Sequence, residues 1–214
     1  MFNLEAYLAE YSNLSILSPL AMGIVSFKYL TQSDRFFLFY ILISTLIEIM
    51  LLYSVVFHLH NHYFINYFTL FETTLLLIFL YKTNFSSIYS RVLLLLIPAY
   101  LIVWVYFIFT EGLSTVNQTL FLIECLLLVP STLYSLYLIF NQDHSFQLYK
   151  TSLFWIYIGI FTYFISTATI YGLANSLINS SKHEHVFVFT NSIANIVTNL
   201  LYSIGLLCPV LTRK

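Results

Sequence analysis

Three glutamates lie inside long apolar stretches of the sequence, where a charged side chain is costly. They are Glu48, Glu72 and Glu124, and no lysine or arginine lies near them in the apolar stretches to form a pair. An ionisable group inside a membrane costs at least about 2.5 kcal/mol, and such groups commonly mark ion paths, proton relays or ligand sites. A protonated carboxyl that bonds between helices is the structural alternative. Three glutamates in one small bundle favour a binding layer.

Polar residues at helical spacing accompany the glutamates. Asn191, Asn195 and Asn199 are each four residues apart, and Thr162 and Ser166 share this spacing in the preceding stretch. Residues four apart lie on one face of a helix. Hydrogen bonding that holds helices together would use the same pattern, but the shared depth favours a polar cavity in the outer half of the bundle. The candidate ligand- or proton-binding residues are Glu48, Glu72, Glu124, Asn191, Asn195 and Ser166.

Histidines form a second group, near two breaks between apolar stretches. Neutral imidazole is a good ligand for zinc and copper, so a metal site at the rim of the bundle is a weak possibility. The spacing matches no specific metal motif, and solvated loop histidines are the ordinary alternative. The candidates are His58, His60, His62, His183 and His185. No other cofactor is expected.

The composition places these residues in a membrane protein. Of the 214 residues, 60% are hydrophobic and 8% are charged, and the mean hydropathy is +0.87. A soluble domain carries about 25% charged residues. The net charge of −1 and the lack of a basic stripe exclude a nucleic-acid partner. The lipid bilayer is therefore the expected surroundings.

Seven apolar stretches are long enough to span a bilayer, which needs roughly 20 residues each. The sequence thus predicts an all-α polytopic bundle of seven transmembrane helices, in a single domain over residues 1–214. Short polar breaks leave no room for an output domain between them. Pro19, Pro98 and Pro130 lie within spans and are expected to kink them. The predicted spans are approximately 12–30, 36–58, 63–82, 91–110, 118–140, 152–173 and 185–210.

Basic residues predict the orientation, because cytoplasmic loops are enriched in lysine and arginine. With seven spans, only Lys182 falls on one side of the membrane. The N-terminus is then outside and the C-terminus cytosolic, in the plasma (inner) membrane. Tyrosines near span ends, such as Tyr40, are expected to be interfacial anchors. The basic residues on the cytosolic side are Lys28, Arg35, Lys82, Arg91, Lys150, Arg213 and Lys214.

Two known classes of seven-helix protein resemble this pattern only in part. The topology is similar to that of microbial rhodopsins, but the seventh span has no lysine between His185 and Leu207 to form a retinal Schiff base. The size resembles that of the intramembrane zinc hydrolases of the ceramidase and adiponectin-receptor type. Where those have a seventh-helix HxxxH, this chain has Asn191 and Asn195.

A third resemblance covers nearly the whole chain. The opening LEAYLAEYSNLSIL, the segments FETTLLL and ECLLL, and the closing NIVTNLLYSIGL resemble short bacterial seven-helix proteins without an assigned function. That resemblance implies a protein partner in the membrane, of the sensor histidine kinase class.

These observations favour a membrane sensor or regulatory subunit that signals through a separate partner, and they favour a non-enzymatic role. Three alternatives stay open. The glutamates could serve a small-solute or proton-coupled transporter, paired carboxyls could serve an intramembrane lipid hydrolase, and the chain could be a structural subunit of a larger complex.

Overall fold

The computed structural model describes residues 4–57, 61–84, 86–113, 117–141, 148–177 and 182–212. These residues form helices and connecting turns, without a strand. Two 3₁₀ turns, Phe27–Tyr29 and Leu148–Lys150, precede α3 and α7. The helices are α1 Leu4–Ser15, α2 Leu17–Ser26, α3 Gln32–Val56, α4 His62–Thr83, α5 Ser87–Glu111, α6 Gln118–Phe140, α7 Ser152–Leu177 and α8 Lys182–Leu211.

Six of the described helices are long and apolar enough to cross a membrane, as is expected of a multi-pass membrane protein. They are α3 to α8, and they confirm the helical class; each overlaps one of the predicted spans. Their apolar segments are Gln32–Ser54, His62–Thr83, Ile88–Glu111, Gln118–Phe140, Ser152–Gly172 and Val188–Leu211.

The first predicted span, 12–30, is interrupted at one residue, Ile16, whose backbone angles stay helical (φ −63°, ψ −22°). It is divided into α1 and α2 at Ile16, and α1 begins well before residue 12. Pro19 explains the division, because proline has no N–H to donate to the Ser15 carbonyl four residues earlier and its ring crowds that carbonyl. Pro98 and Pro130, in contrast, lie within the unbroken helices α5 and α6.

The two short helices run end to end beside α8. Asn199 Nδ2 donates to Ser15 Oγ over 2.7 Å, and one turn further the hydroxyls of Ser18 and Ser203 are 2.9 Å apart. Residue numbers rise in the same direction along both segments, from Ser15 to Ser18 and from Asn199 to Ser203. α1 and α2 therefore run parallel to α8 and together occupy the position of a further helix in the bundle.

Helix α4 connects several neighbours through polar contacts. Trp104 Nε1 of α5 donates to the Asn66 carbonyl over 3.0 Å, and the Tyr100 hydroxyl lies 3.5 Å from the Thr69 carbonyl. Since residue numbers rise along α5 as they fall along α4, these helices are antiparallel. α4 also packs against α3 and α6, while α7 packs between α6 and α8.

The core of the bundle is apolar and aromatic beyond the polar residues of α4. Leu76, Leu77, Phe79 and Leu80 are completely buried. The ring of Phe79 lies 5.1 Å from that of Phe37 on α3. Helices α7 and α8 approach closely at small residues, as membrane helices commonly do.

At the end of the bundle where α3 and α7 begin, a buried aspartate ties the two helices together. Asp34 Oδ2 accepts from the Thr31 hydroxyl over 2.8 Å, and the Asp34 amide donates back to Thr31 Oγ1 over 3.2 Å. Its other oxygen accepts from Ser152 Oγ over 2.8 Å. This reciprocal pair satisfies amides that the first turn of a helix leaves without partners.

Candidate functional site

A polar cavity of about 80 Å³ lies between the broken first helix and α3, α4, α7 and α8. One water molecule needs roughly 10–15 Å³ by this kind of measure, so the space fits a small hydrated ligand. Five helices of the bundle supply its walls. The lining residues are Ser12, Asn13, Ile16, Tyr40, Ile41, Ser44, Glu48, Phe68, Glu72, Tyr163, Asn195, Thr198, Asn199 and Tyr202.

Glu72 is the deeply buried carboxyl of this cavity. The Tyr40 hydroxyl of α3 donates to Glu72 Oε1 over 2.7 Å. Tyr40 is itself 4% exposed, so its prediction as an interfacial anchor is wrong. A tyrosine whose hydroxyl needs a partner is stable in the interior when a carboxyl supplies one.

Glu48 is half-buried and faces the broken helix. With its amide nitrogen turned toward the acceptors, Asn13 donates to Glu48 Oε1 over 3.1 Å and to the Ala9 carbonyl over 3.2 Å. Asn13 therefore connects α1 to the carboxyl of α3. The sequence pattern did not identify Asn13, because it lies outside the asparagine stripe and has no partner at helical spacing.

Helix α8 supplies the opposite wall from its polar stripe. Asn195 lines the cavity together with Thr198 and Asn199. Asn199 is held by Ser15 of α1. Thr198 is 3% exposed, and its Oγ1 has no hydrogen-bond partner in the structure.

Glu124 lies outside this cavity, although it is also buried. Thr73 Oγ1 lies 2.5 Å from Glu124 Oε1 and 2.8 Å from the Thr69 carbonyl oxygen. A threonine hydroxyl has one proton, so it cannot donate to both oxygens fully. The contacts are complete when the Glu124 carboxyl carries a proton and donates to Thr73. Glu124 thus fits a structural bond between α4 and α6.

The structure brings only some of the predicted residues together. Glu48, Glu72 and Asn195 line one cavity. Asn191 and Ser166 are half-buried and lie outside its lining, as does Glu124. Equal depth along different helices places residues in one layer, but the rotation of each helix decides which of them share a space.

The histidine candidates are only partly within the described structure. His62 begins α4, and its buried Nδ1 has no hydrogen-bond partner. His58 and His60 lie outside the described residues, as do the side chains of His183 and His185. Among the residues that the structure describes, no group of three or more His, Cys, Asp or Glu side chains could hold a metal ion.

The cavity wall combines acidic and neutral polar groups. Its described lining offers carboxyl, hydroxyl and amide groups, and it contains no histidine, cysteine, lysine or arginine. General acid–base catalysis would need a positioned donor and acceptor on either side of a reacting bond. The hydrogen bonds of Glu48 and Glu72 instead fix these carboxyls to the walls.

Comparison with protein-family models, with curated proteins and with solved structures finds no match to this chain.

Proposed function

We propose that this protein is a membrane sensor or regulatory subunit that binds a small polar ligand or ion in the cavity and passes the change to a separate membrane protein. The observation that carries the proposal is the position of the cavity. It lies against the division between α1 and α2, and it contains two carboxyls, Glu48 and Glu72. A ligand there would meet the least continuous element of the bundle.

The cavity wall includes contacts that a bound ligand could rearrange. Asn13 connects α1 to Glu48, and Ser15 connects α1 to Asn199 of α8. A ligand that bonds to Glu48 or Asn199 would compete with these contacts and shift α1 relative to α3 and α8. A ligand changes a conformational equilibrium only through such differential contacts.

The apolar core favours a sensor over an open path. Below Glu72 and Thr73 on α4, Leu76, Leu77 and Leu80 are completely buried. Among the buried residues of α4, no polar side chain interrupts this layer until Thr83, roughly 15 Å further along the helix. On the α4 side, an ion in the cavity therefore meets an apolar layer in this conformation.

The orientation is part of the proposal. The described basic residues Lys28, Arg35, Lys82, Arg91 and Lys150 lie at or near helix ends on the side opposite the cavity. The enrichment of cytoplasmic loops in such residues supports a cavity that faces outward from the inner membrane. The partner would be a membrane protein, with a sensor histidine kinase as the class implied by the sequence resemblance.

The experiment is isolation of the protein with its surrounding native lipid, without detergent, followed by identification of what accompanies it. We expect one membrane protein at fixed stoichiometry. In the Glu48→Gln/Glu72→Gln double variant, the partner should stay bound while its output activity changes at least about threefold. Glu124→Gln is the matched control, because it removes a buried carboxyl outside the cavity. An unchanged output in the double variant would leave only a structural role.

Transport is the second candidate, because discontinuous helices form the substrate sites of many transporters. The division of the first span at Pro19 is the observation that favours it. A carrier must open the apolar layer around Leu76 in another conformation. Reconstituted vesicles that accumulate a solute or acidify through the wild-type protein, and fail with Glu72→Gln, would replace the sensor proposal by this one.

A further inference from the structure

We infer that the cavity binds a small monovalent cation, an alkali-metal or primary ammonium ion. The inference names the class of ligand for the proposed sensor site and rests on that proposal. It depends on three features of the cavity wall: its charge, the helix end that faces it, and a buried hydroxyl without a hydrogen-bond partner.

The charge of the described wall has one sign. Glu48 and Glu72 are its titratable acids, and its fourteen lining residues include no basic side chain. An anion placed here would face carboxyls without a compensating cation. Oxygen atoms of carboxylates, amides and hydroxyls are the ligands that hard cations prefer, and Asn195 and Asn199 add amides to the same wall.

The end of α1 that faces the cavity is its C-terminal end. The last turn contributes Ser12 and Asn13, and Ile16 at the division also lines the space, whereas no residue of α2 does. The C-terminus of a helix carries a partial negative charge. Because Pro19 has no N–H, the carbonyl of Ser15, which adjoins the lining without forming part of it, also lacks its usual donor. Interrupted membrane helices coordinate cations through such ends.

Thr198 supplies the third feature. Many hydroxyls in the described helices bond to the carbonyl four residues earlier, as Ser44 does to Tyr40 over 3.0 Å and Ser203 does to Asn199 over 2.6 Å. Buried hydroxyls without a partner also occur at Ser26 and Thr74, but of the three only Thr198 lines the cavity. Thr198 lines the cavity, is 3% exposed, and makes no such bond. Buried polar groups are nearly always satisfied. A cation in the cavity would use this oxygen.

The volume restricts the cation. About 80 Å³ holds a few water-sized groups. A partly hydrated sodium or potassium ion fits, and so does methylammonium, which can donate to carboxyl and hydroxyl oxygens. A bulky organic cation such as N-methylglucammonium does not.

The experiment measures thermal unfolding of the full protein in lipid nanodiscs as each cation is added. The probes are sodium, potassium and methylammonium chloride, with N-methylglucammonium chloride keeping the ionic strength constant. We expect at least one probe to raise the midpoint saturably by about 2–5 °C, since a ligand that binds only the folded state stabilises it. A rise with sodium or potassium identifies an alkali-metal site, and a rise with methylammonium alone identifies an ammonium site.

Three single variants locate the effect. Glu48→Gln and Glu72→Gln should weaken the apparent affinity at least about tenfold. Glu124→Gln should leave it within about twofold, because that carboxyl lies outside the cavity. The inference is overturned if no probe raises the wild-type midpoint, or if all three variants respond alike.

A second measurement covers variants that fail to fold. Broadening of the sodium-23 magnetic resonance line by the wild-type protein should be reversed by whichever competing probe binds. Unbroadened lines together with no midpoint shift would overturn the cation inference. The sensor proposal would survive that result if the double glutamate variant still changed the output of the partner.

Discussion

The two halves of α4 contrast within one helix. The first half presents Asn66, Thr69, Glu72 and Thr73, whose side chains or carbonyls bond to α3, α5 and α6. The second half presents buried leucines and Phe79, which contact their neighbours through shape alone. We call residues 66–73 the polar half of α4 and residues 76–80 its dry half.

Close packing and the polar cavity are therefore separated along the length of the helix. In lipid, apolar side chains gain little by leaving the solvent, so helices associate through close packing and interhelical hydrogen bonds. The leucines and Phe79 of the dry half are completely buried, and a void among them would leave the neighbouring atoms without contacts. The polar half borders a cavity, where water or a ligand can replace a lost group.

The same division holds in α8. Near its middle, Thr198 and Asn199 line the cavity, while further along Leu206 is completely buried in the core. Tyr202 lies at the boundary, since it lines the cavity and its ring is 4.9 Å from that of Phe37. Tyr202 therefore contacts both the cavity and the packed region.

The largest expected effect comes from a void in the dry half. Phe79→Ala removes a completely buried ring that contacts Phe37 and Tyr157, and we expect a loss of about 3 kcal/mol in the free energy of unfolding. Phe71→Ala is the matched control on the same helix, because Phe71 is 53% exposed; it should cost under about 1 kcal/mol. Reversible unfolding in mixed micelles measures both. Equal losses would remove the distinction between packed and lipid-facing surfaces.

A smaller effect is expected where α7 meets the boundary residue. A Cβ added at Gly159 would lie 2.5 Å from Tyr202 Cε1, so the ring must move. Gly159→Ala should lower the free energy of unfolding by about 1–3 kcal/mol, as overpacking does. Gly172→Ala adds the same atom to α7 where nothing lies within 4 Å, and the helix should gain about 0.5–1 kcal/mol. The same unfolding assay measures the predicted loss for Gly159→Ala and the predicted gain for Gly172→Ala. A stabilising Gly159→Ala would contradict the close contact between Gly159 and Tyr202.

Much of this arrangement could be predicted from the sequence. Apolar length alone identified the six long helices, and the depth of Glu48, Glu72 and Asn195 predicted a shared polar layer. The division of the first span was harder to predict. Pro19 was expected to kink a helix, but whether a kink becomes a break depends on the partners of the freed groups. At this break, α8 contacts the side-chain hydroxyls of Ser15 and Ser18 and holds the two short helices beside it.

Periodicity also could not predict which residues line the cavity. Tyr40 has the sequence position of an interfacial anchor, and only the neighbouring helix reveals its bond to Glu72. Glu124 has the depth of a cavity residue, but α6 is rotated so that it meets Thr73 instead. Spacing determines which residues share a face of one helix, and it does not determine which faces meet.

A polar deletion beside the cavity should cost less than the two packing changes. Thr73→Val removes the hydroxyl that contacts Glu124 and leaves that buried carboxyl without the partner described here. We expect a loss of about 1–2 kcal/mol. The Thr73→Val/Glu124→Leu double variant should recover part of this loss, because both members of the pair are then apolar. Thr74→Val is the neighbouring control, since Thr74 Oγ1 is buried without a partner and its removal should cost nothing. A Thr74→Val loss as large as that of Thr73→Val would show that the contact with Glu124 is unimportant.

The smallest effect on stability should come from removing the Thr198 hydroxyl, which has no hydrogen-bond partner in the cavity wall. Thr198→Val removes an oxygen that bonds to nothing in the structure, so the free energy of unfolding without added small cations should change by less than about 0.5 kcal/mol. Thr132→Val is the matched change in the packed region, where Thr132 Oγ1 donates to the Leu128 carbonyl over 2.7 Å; it should cost about 1 kcal/mol. Unfolding with and without sodium or methylammonium chloride then separates two roles, because Thr198→Val should reduce the cation-dependent rise in midpoint that Thr132→Val leaves intact. If Thr198→Val destabilised the cation-free protein as much as Thr132→Val, the polar and packed regions would not differ in the way the two halves of α4 indicate.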